Sequence, residues 1–182
     1  MKTIANLKDF CPKTTIVING YAPFEKYPKI TDLGNVQEIK GDADFRGSQV
    51  QSLGNLQTIG GWADFTNSKI QSLGNLQTIG GTAYFGESQV QSLGNLQRIG
   101  GLAFLGHSKV QSLGNLQTIG GTAYFGNSKV QDLGNLQTIG GSAFFRESQV
   151  QSLGNLQTIE VNAFFGNRTD LEAEWEAKQN NK

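Results

Sequence analysis

The sequence predicts a β-solenoid, a single domain in which each coil of 20 residues stacks on the one before. Three observations lead to this prediction: a repeat of fixed length, glycines that recur in register, and an apolar spacing that changes within each repeat. The repeat reads G-x-A-x-F-x-x-S-[KQ]-V-Q-S-L-G-N-L-Q-T-I-G, and we number its positions 1 to 20. Six full repeats start at Gly41, Gly61, Gly81, Gly101, Gly121 and Gly141.

The first part of each repeat has the pattern of a β-strand. Alanine and phenylalanine at positions 3 and 5 alternate with variable residues, as Ala83 and Phe85 do. Later apolar residues are three apart, as in Val90, Leu93 and Leu96, which is typical of a chain that turns inside a coil. We therefore predict one parallel strand per coil, with positions 3 and 5 in the core and positions 2, 4 and 6 on the outer face.

The N-terminal part, residues 1–40, is predicted to form a cap and the first coil. Ile4, Leu7 and Phe10 are spaced as one face of a short helix. The pattern of 14–20 indicates a strand with Ile16 and Ile18 pointing inward. Residues 19–29 are interpreted as a loop that makes this coil about seven residues longer than the others.

The C-terminal part, residues 161–182, is predicted to close the stack. Residues 41–160 form the six full repeats, and then Glu160 and Val161 replace the double glycine. One last strand and a helical cap should follow, since Leu171 and Trp175 lie at i and i+4 on one helical face.

Two polar positions in the repeat are interpreted as structural. The serine at position 8 should be buried, with its hydroxyl bonded to backbone groups of the turn. The glycine–asparagine pair at positions 14 and 15, such as Gly94 and Asn95, is typical of a turn, in which the asparagine either caps or adopts a left-handed conformation.

The stretch LQTIGGTAYFGESQVQSLGNL, residues 76–96, resembles leucine-rich repeats. It differs from them by alanine and phenylalanine in place of strand leucines, by serine in place of the ladder asparagine, and by a double glycine. These features are similar to the short IGG repeats of bacterial leucine-rich proteins and receptor L domains. The resemblance implies a solenoid that binds proteins.

Composition argues against several classes of function. Acidic and basic residues balance at 15 each, which argues against a partner that is a nucleic-acid duplex. Cys11 is the single cysteine and His107 the single histidine, so no disulfide pairing and no nucleophile–base pair is indicated. We expect a non-enzymatic protein without cofactor or metal. The absence of a long apolar run predicts no membrane partner and a cytoplasmic location.

The variable positions indicate where function lies. Positions 2, 4, 6, 7 and 9 vary between repeats, whereas other outward positions are copied almost unchanged, so the outer face of the strands is the predicted binding surface. Its candidate partner-binding residues are Trp62, Tyr84, Phe104, Tyr124, Phe144, Phe164, Asp42, Asp44, Asp64, Arg46 and Arg146. The aromatic residues at position 4 form one predicted zone, and the three aspartates with Arg46 and Trp62 form the other.

Several interpretations of this face remain open at the level of sequence. The aromatic ladder suits a protein or peptide partner. It also suits a small molecule or glycan stacked on Tyr84, Tyr124 and Trp62, or a homo-oligomer that buries the ladder. The rings could instead only stabilise strand pairing, or lie under the 21–29 loop. Ice binding through Thr58 and its equivalents is weaker, because Arg98 interrupts that ladder.

Overall fold

The computed structural model describes residues 15–180, and these residues form a stack of coils whose strands are parallel. Each coil contributes two short strands rather than the single strand expected, so the solenoid has two parallel sheets of eight strands. The prediction of a β-solenoid with coils of about 20 residues is confirmed, and the prediction of one strand per coil is wrong. The missed strand is the Thr-Ile pair at positions 18 and 19, which is too short to show an alternating pattern.

Sheet A is built from the strands that contain positions 18 and 19. Its strands follow one another in the order of the coils: β1 (Ile16–Ile18), β3 (Val36–Ile39), β5 (Thr58–Ile59), β7 (Thr78–Ile79), β9 (Arg98–Ile99), β11 (Thr118–Ile119), β13 (Thr138–Ile139) and β15 (Thr158–Ile159).

Sheet B is built from the predicted strands at positions 3 and 4. Its strands are β2 (Ala22–Pro23), β4 (Ala43–Asp44), β6 (Ala63–Asp64), β8 (Ala83–Tyr84), β10 (Ala103–Phe104), β12 (Ala123–Tyr124), β14 (Ala143–Phe144) and β16 (Ala163–Phe164). Pairing is in register, so that Ala103 lies beside Ala123 and Phe104 beside Tyr124.

The core lies between the sheets and repeats in every coil. Alanine at position 3, phenylalanine or leucine at 5, and the branched residues at 10, 13, 16 and 19 are buried in the full repeats, except that Ile159 is partly buried. The inward orientation predicted for position 5 is confirmed, since Phe85, Phe125 and Phe145 are each 0% exposed. Neighbouring phenylalanines stack, for example Phe45 on Phe65 with ring centroids 5.2 Å apart. Each coil therefore buries its core only against its neighbours.

The double glycine at positions 20 and 1 is required by the close approach of stacked backbones. A Cβ atom on Gly80 would lie 2.1 Å from the carbonyl oxygen of Gly60, and one on Gly81 would lie 2.8 Å from the carbonyl carbon of Gly61. In the last coil Val161 replaces glycine, and its N–H lies 3.4 Å from the Gly141 oxygen, against 2.8 Å for Gly81 and Gly61. The side chain thus loosens the contact that glycine allows.

The predicted turn at positions 14 and 15 is present, but its left-handed residue is the glycine and not the asparagine. Gly94 has a φ of 55°. The asparagine that follows links adjacent coils, because Asn95 Nδ2 donates to the carbonyl of Gly74 at 3.0 Å. Position 7 is left-handed as well, even where it is not glycine: Glu87 and His107 both have φ of 54°.

The predicted role of the buried serines is wrong for most coils. The serines at position 8 are buried as expected, and Ser108 Oγ donates to the carbonyl of Leu105 at 2.7 Å. The hydroxyls of Ser48, Ser68, Ser88 and Ser128, however, have no hydrogen-bond partner among the described residues. Ser108 is in the coil where leucine replaces phenylalanine at position 5, and in the last full repeat Ser148 Oγ accepts from Arg168 Nη1 at 3.4 Å.

The first coil is 21 residues long, and the interpretation of 19–29 as a long loop is wrong. Gly20 to Phe24 follow the repeat pattern G-x-A-x-F, and Ala22 pairs with Ala43 as position 3 does elsewhere. Phe24 is buried and stacks on Phe45 at 4.7 Å. A 3-10 turn follows over Phe24–Lys26. Ile16 and Ile18 face the core, as predicted. The predicted helix through Ile4, Leu7 and Phe10 lies outside the described residues.

The predicted C-terminal helical cap is present as α1 (Thr169–Asn180). Leu171 is 1% exposed, and Trp175 packs against the core. Polar groups of the last coil also bond to the helix: the Glu174 carboxylate accepts from the Leu153 N–H at 3.0 and 3.2 Å, and Lys178 Nζ donates to the Gly154 carbonyl at 2.8 Å. The helix therefore replaces the contacts that a further coil would make at positions 13 and 14.

Candidate functional site on the outer face of sheet B

A continuous ladder of aromatic rings runs along the outer face of sheet B. Position 4 carries Tyr84, Phe104, Tyr124, Phe144 and Phe164, as the sequence predicts. Successive ring centroids are 5.0, 4.6, 5.2 and 4.6 Å apart, and the interplanar angles are 2–7°. In-register parallel pairing imposes this stacking, because identical positions of adjacent coils lie directly beside one another.

Stacking determines which parts of the rings remain accessible. Both faces of the three inner rings, Phe104, Tyr124 and Phe144, lie against neighbouring rings, as does one face of Tyr84. Solvent therefore reaches mainly ring edges, and these four residues are half-buried. Only the last ring, Phe164, is 46% exposed. Glycine at position 6 beside Tyr84, Phe104 and Tyr124 leaves one side of the ladder without neighbouring side chains. The accessible surface is therefore a narrow apolar stripe made of ring edges.

Position 2 provides a second, less regular column beside the rings. Trp62 is half-buried, and its ring lies 5.9 Å from that of Tyr21 with an interplanar angle of 49°. Leu102 and Thr122 follow in later coils, also half-buried. Trp62 is thus partly covered by Tyr21 of the first coil and does not join the aromatic ladder.

In the acidic zone at the N-terminal end of the face, the side chains are held by hydrogen bonds and ion pairs to one another. Asp44 is 0% exposed, which corrects the prediction that it lies on an open binding surface. Its Oδ1 accepts from Arg46 Nε at 2.9 Å, and its Oδ2 accepts from Arg46 Nη2 at 2.6 Å and from the Tyr21 hydroxyl at 3.1 Å. The carboxylate is buried because Tyr21 and Arg46 cover it from both sides.

The other two aspartates also bond to groups within this zone. Asp42 Oδ1 accepts from the Trp62 N–H at 2.9 Å. Asp64 Oδ1 accepts from the Thr66 N–H at 2.9 Å, while Asp64 Oδ2 lies 3.5 Å from Arg46 Nε. The cluster therefore acts as a clamp between the first three coils. Among residues 15–180, no group of three His, Cys, Asp or Glu side chains is arranged to hold a metal ion.

Within this clamp, Asp44 and Arg46 each stabilise the charged form of the other. Hydrogen bonds from the Arg46 side chain lower the pKa of Asp44, although burial acts in the opposite direction. The same pair raises the pKa of Arg46. Burial and the bond to Asp44 raise the pKa of the Tyr21 hydroxyl, so that it stays protonated and able to donate at neutral pH.

The last of the predicted site residues, Arg146, lies at the edge of the face. Arg146 is 78% exposed in its side chain and pairs with the half-exposed Glu147 at 3.3 Å. It lies at position 6 beside the C-terminal half of the ladder, where its guanidinium is accessible to solvent. The structure therefore brings the five position 4 rings and Arg146 together. The clamp of Asp42, Asp44, Asp64 and Arg46 lies at the N-terminal end of the ladder, where Asp64 is the in-register neighbour of Tyr84.

Sequence reasoning missed Tyr21 as part of this surface. Its signal was the GYAPF stretch at 20–24, which matches the repeat once a 21-residue spacing is allowed. Two hollows lie outside the face: a polar groove of 620 Å³ lined by Gln51, Ser68, Lys69 and others, and an apolar one of 220 Å³ beside Tyr21 and Tyr27. Neither touches the aromatic ladder.

Comparisons with known proteins leave the site to be interpreted from its own geometry. No protein-family model, no curated protein and no solved structure matches this chain. Within residues 15–180, the single helix is too polar and too short to cross a bilayer.

Proposed function

We propose that this protein is a non-enzymatic recognition module that binds another protein or a peptide along the aromatic ladder of sheet B. The observation that carries the proposal is the unbroken stripe of five stacked rings, from Tyr84 to Phe164, left half-open by the small residues at position 6. An apolar stripe on an otherwise polar surface is typical of an interface. The leucine-rich-repeat resemblance, with its protein partners, is part of the same proposal.

The geometry of the rings favours a protein partner over a glycan. Sugars bind aromatic residues by lying against the face of a ring, whereas the inner faces here lie 4.6–5.2 Å from the next ring. Ring edges instead suit apolar side chains and the edge-to-face contacts of other aromatic residues. A small-molecule or glycan site would be confined to the outer face of Phe164, which is too small for an extended ligand.

The rigid backbone supports the same proposal. The three inner rings are each fixed between two neighbouring rings, and the partner would therefore contact side chains that lose little conformational freedom on binding. Arg146 adds an exposed guanidinium beside Phe144 that can orient a polar or acidic group of the partner. A cytoplasmic location belongs to this proposal and rests on a chain whose single cysteine, Cys11, allows no internal disulfide.

The test uses a displayed library of random peptides as the probe. Peptides are selected on the wild-type chain, and their affinities are then measured for a variant with Phe104, Tyr124 and Phe144 replaced by serine. Central aromatic residues typically contribute about 2 kcal/mol each at an interface, so affinity should fall more than about 100-fold. Peptides that bind the triple variant as tightly as the wild type would exclude the ladder as the binding surface.

A matched variant controls for surface changes in general. Gln91, Gln97 and Gln117 are exposed on copied positions away from sheet B, and their replacement by serine should leave peptide affinity unchanged. Thermal unfolding of both variants checks the fold, because each removed ring should cost only about 0.2–1 kcal/mol in cross-strand contacts. If the glutamine changes abolish binding and the ring changes do not, the copied surface is the functional one.

A second candidate is a dimer that buries the ladder face to face. The same stripe of ring edges favours it, since self-complementary apolar surfaces form isologous interfaces. Sedimentation of the triple serine variant distinguishes the two, because such a dimer would dissociate while a peptide-binding monomer would not change in mass.

A further inference from the structure

The last strand of sheet B has an open edge, and its polar groups can be identified from the coils before it. In the preceding coil the Ala143 N–H donates to the Asn162 carbonyl at 2.8 Å, and the Phe145 N–H donates to the Phe164 carbonyl at 2.8 Å. The Gly141 carbonyl accepts from the Val161 N–H. No coil follows β16, so among residues 15–180 the equivalent Val161 carbonyl, Ala163 N–H and Phe165 N–H have no backbone partner.

The C-terminal helix does not cover this edge. Arg168 donates to the carbonyls of Ser148 and Val150, and Glu174 accepts from Leu153. All of these groups lie at positions 8 to 13, beyond the end of the strand. Helix α1 therefore satisfies the turn side of the last coil and leaves the strand side open.

The edge is also where apolar surface is exposed. Among the described residues, the large apolar side chains that are exposed are Val17, Tyr21, Tyr27, Val161 and Phe164, and all belong to the first or last coil. Val161 is 61% exposed and Phe164 is 46% exposed. An open strand edge beside exposed apolar side chains is a template for pairing with another strand.

The opposite end of sheet B is not a suitable partner for this edge. A second copy stacked head to tail would place its strand β2 on β16, with Pro23 at position 4. In every other coil of the sheet, the position 4 N–H faces the preceding coil, but proline has none. The Ala163 carbonyl would then lack a donor, so the N-terminal edge is blunted against such stacking.

The exposed groups of β16 are complementary to themselves. Along the strand the edge presents an acceptor at Val161, both groups of Ala163, and a donor at Phe165. In an antiparallel pair centred on Ala163, the two copies of Ala163 exchange both hydrogen bonds. The Phe165 N–H of each copy then faces the Val161 carbonyl of the other, and a two-fold axis relates the two chains.

We propose that the C-terminal edge of sheet B pairs antiparallel with the same edge of a second copy of this chain, joining two solenoids tail to tail around Ala163. The pair would make one sheet that is continuous across both molecules and would cover Val161 and Phe164. It leaves the aromatic ladder accessible on one outer surface, and so does not depend on the function proposed for that face.

The test is the mass of the full chain in solution, measured by sedimentation over a range of concentrations. The wild type should sediment with twice the mass of one chain, and Ala163→Pro should halve that mass, because it removes an N–H that makes no bond within the described residues. Phe164→Lys, which adds a charge to the edge without changing the backbone, should have the same effect. Circular dichroism establishes that each variant is folded.

The matched control is Phe104→Lys, the same change inside the ladder and far from the edge, which should leave the mass unchanged. Amide exchange gives a second readout: Phe165 should be protected in the wild type at high concentration and lose that protection at least tenfold in Phe164→Lys. A monomeric wild type overturns the proposal, as does a dimer that survives Phe164→Lys. A dimer that dissociates with Phe104→Lys alone also overturns it and assigns the interface to the ladder face.

Discussion

Arg46 donates two parallel hydrogen bonds to the buried carboxylate of Asp44, from Nε to Oδ1 at 2.9 Å and from Nη2 to Oδ2 at 2.6 Å. Asp44 ends strand β4 and Arg46 follows two positions later, so that the arginine side chain folds back over the aspartate. Such a bidentate pair is directional and stronger than a bond between neutral groups. With the Tyr21 hydroxyl as a third donor, it ties the first coil of sheet B to the second.

Replacing Arg46 should destabilise the protein much more than replacing Arg146. Arg46→Ala removes both charged hydrogen bonds to Asp44 and one of the two side chains that cover its carboxylate, so we expect a clear loss in the free energy of unfolding. Arg146→Ala removes an exposed pair with Glu147, which contributes about 0–1 kcal/mol. Urea denaturation at pH 7 measures both, and equal losses would show that the clamp carries no special stability.

The contribution of the clamp should depend on pH in the acid range. The pKa of Asp44 is lowered in the fold, against about 3.9 for an aspartate in an unfolded chain. A lowered pKa stabilises the fold above the unfolded value and loses that contribution as pH falls through the folded value. The difference in stability between wild type and Arg46→Ala should thus be largest near pH 7 and shrink below about pH 4. A difference that stays constant down to pH 2 would assign it to packing.

The glycines of the repeat should differ in their tolerance of alanine. Gly100→Ala places a Cβ 2.0 Å from the Gly80 carbonyl oxygen, a collision that forces two coils apart, as Val161 does at the end of the chain. Gly94→Ala meets nothing within 4 Å and pays only for its φ of 55°, about 1–2 kcal/mol. Thermal unfolding should show the larger loss for Gly100→Ala, and the opposite order would contradict the close approach of the coils.

The bond between helix α1 and the last coil should be measurable through Glu174. Glu174→Ala leaves the Leu153 N–H without its acceptor, which should cost about 1–3 kcal/mol. Glu176→Ala changes an exposed residue on the same helix and should stay within about 0.5 kcal/mol. Denaturant midpoints measure both variants, and equal midpoints would mean that the Glu174 carboxylate does not help to hold the cap.

The sequence predicts the inside of the solenoid better than its outside. The inward side chains follow from a period that 20-residue copies repeat many times, so positions such as Phe85 and Val90 are assigned correctly. The outer face is harder because its contacts depend on which residues meet across coils. Asp44 looks exposed by its position in the strand, yet Tyr21 and Arg46 bury it. The ring stack at position 4, by contrast, follows directly from in-register pairing.

The first coil shows how one inserted residue hides a repeat. Gly20 precedes Gly41 by 21 residues rather than 20, and the extra residue lies within 25–30, where proline and lysine replace the serine and its neighbours. The strand before it nevertheless keeps the spacing of Ala22 and Phe24. The pairing register of the strands is unaffected by the longer turn. A sequence comparison at a fixed spacing of 20 residues, by contrast, misses this repeat.

Because the chain from Gly20 onward is a coil of the solenoid, alanine substitutions at two aromatic residues three positions apart should have very different effects on stability. Phe24 is 3% exposed and stacks on Phe45, so Phe24→Ala should cost about 3–5 kcal/mol, as for other buried phenylalanines. Tyr27 is 53% exposed and, in Tyr27→Ala, keeps the backbone N–H that donates to the Phe24 carbonyl at 3.0 Å; its loss should stay within about 0.5 kcal/mol. Urea denaturation of the two variants separates a coil from a loop. In a loop that merely covers the end of the stack, both rings would matter about equally, whereas in a true first coil only the ring at position 5 is part of the core.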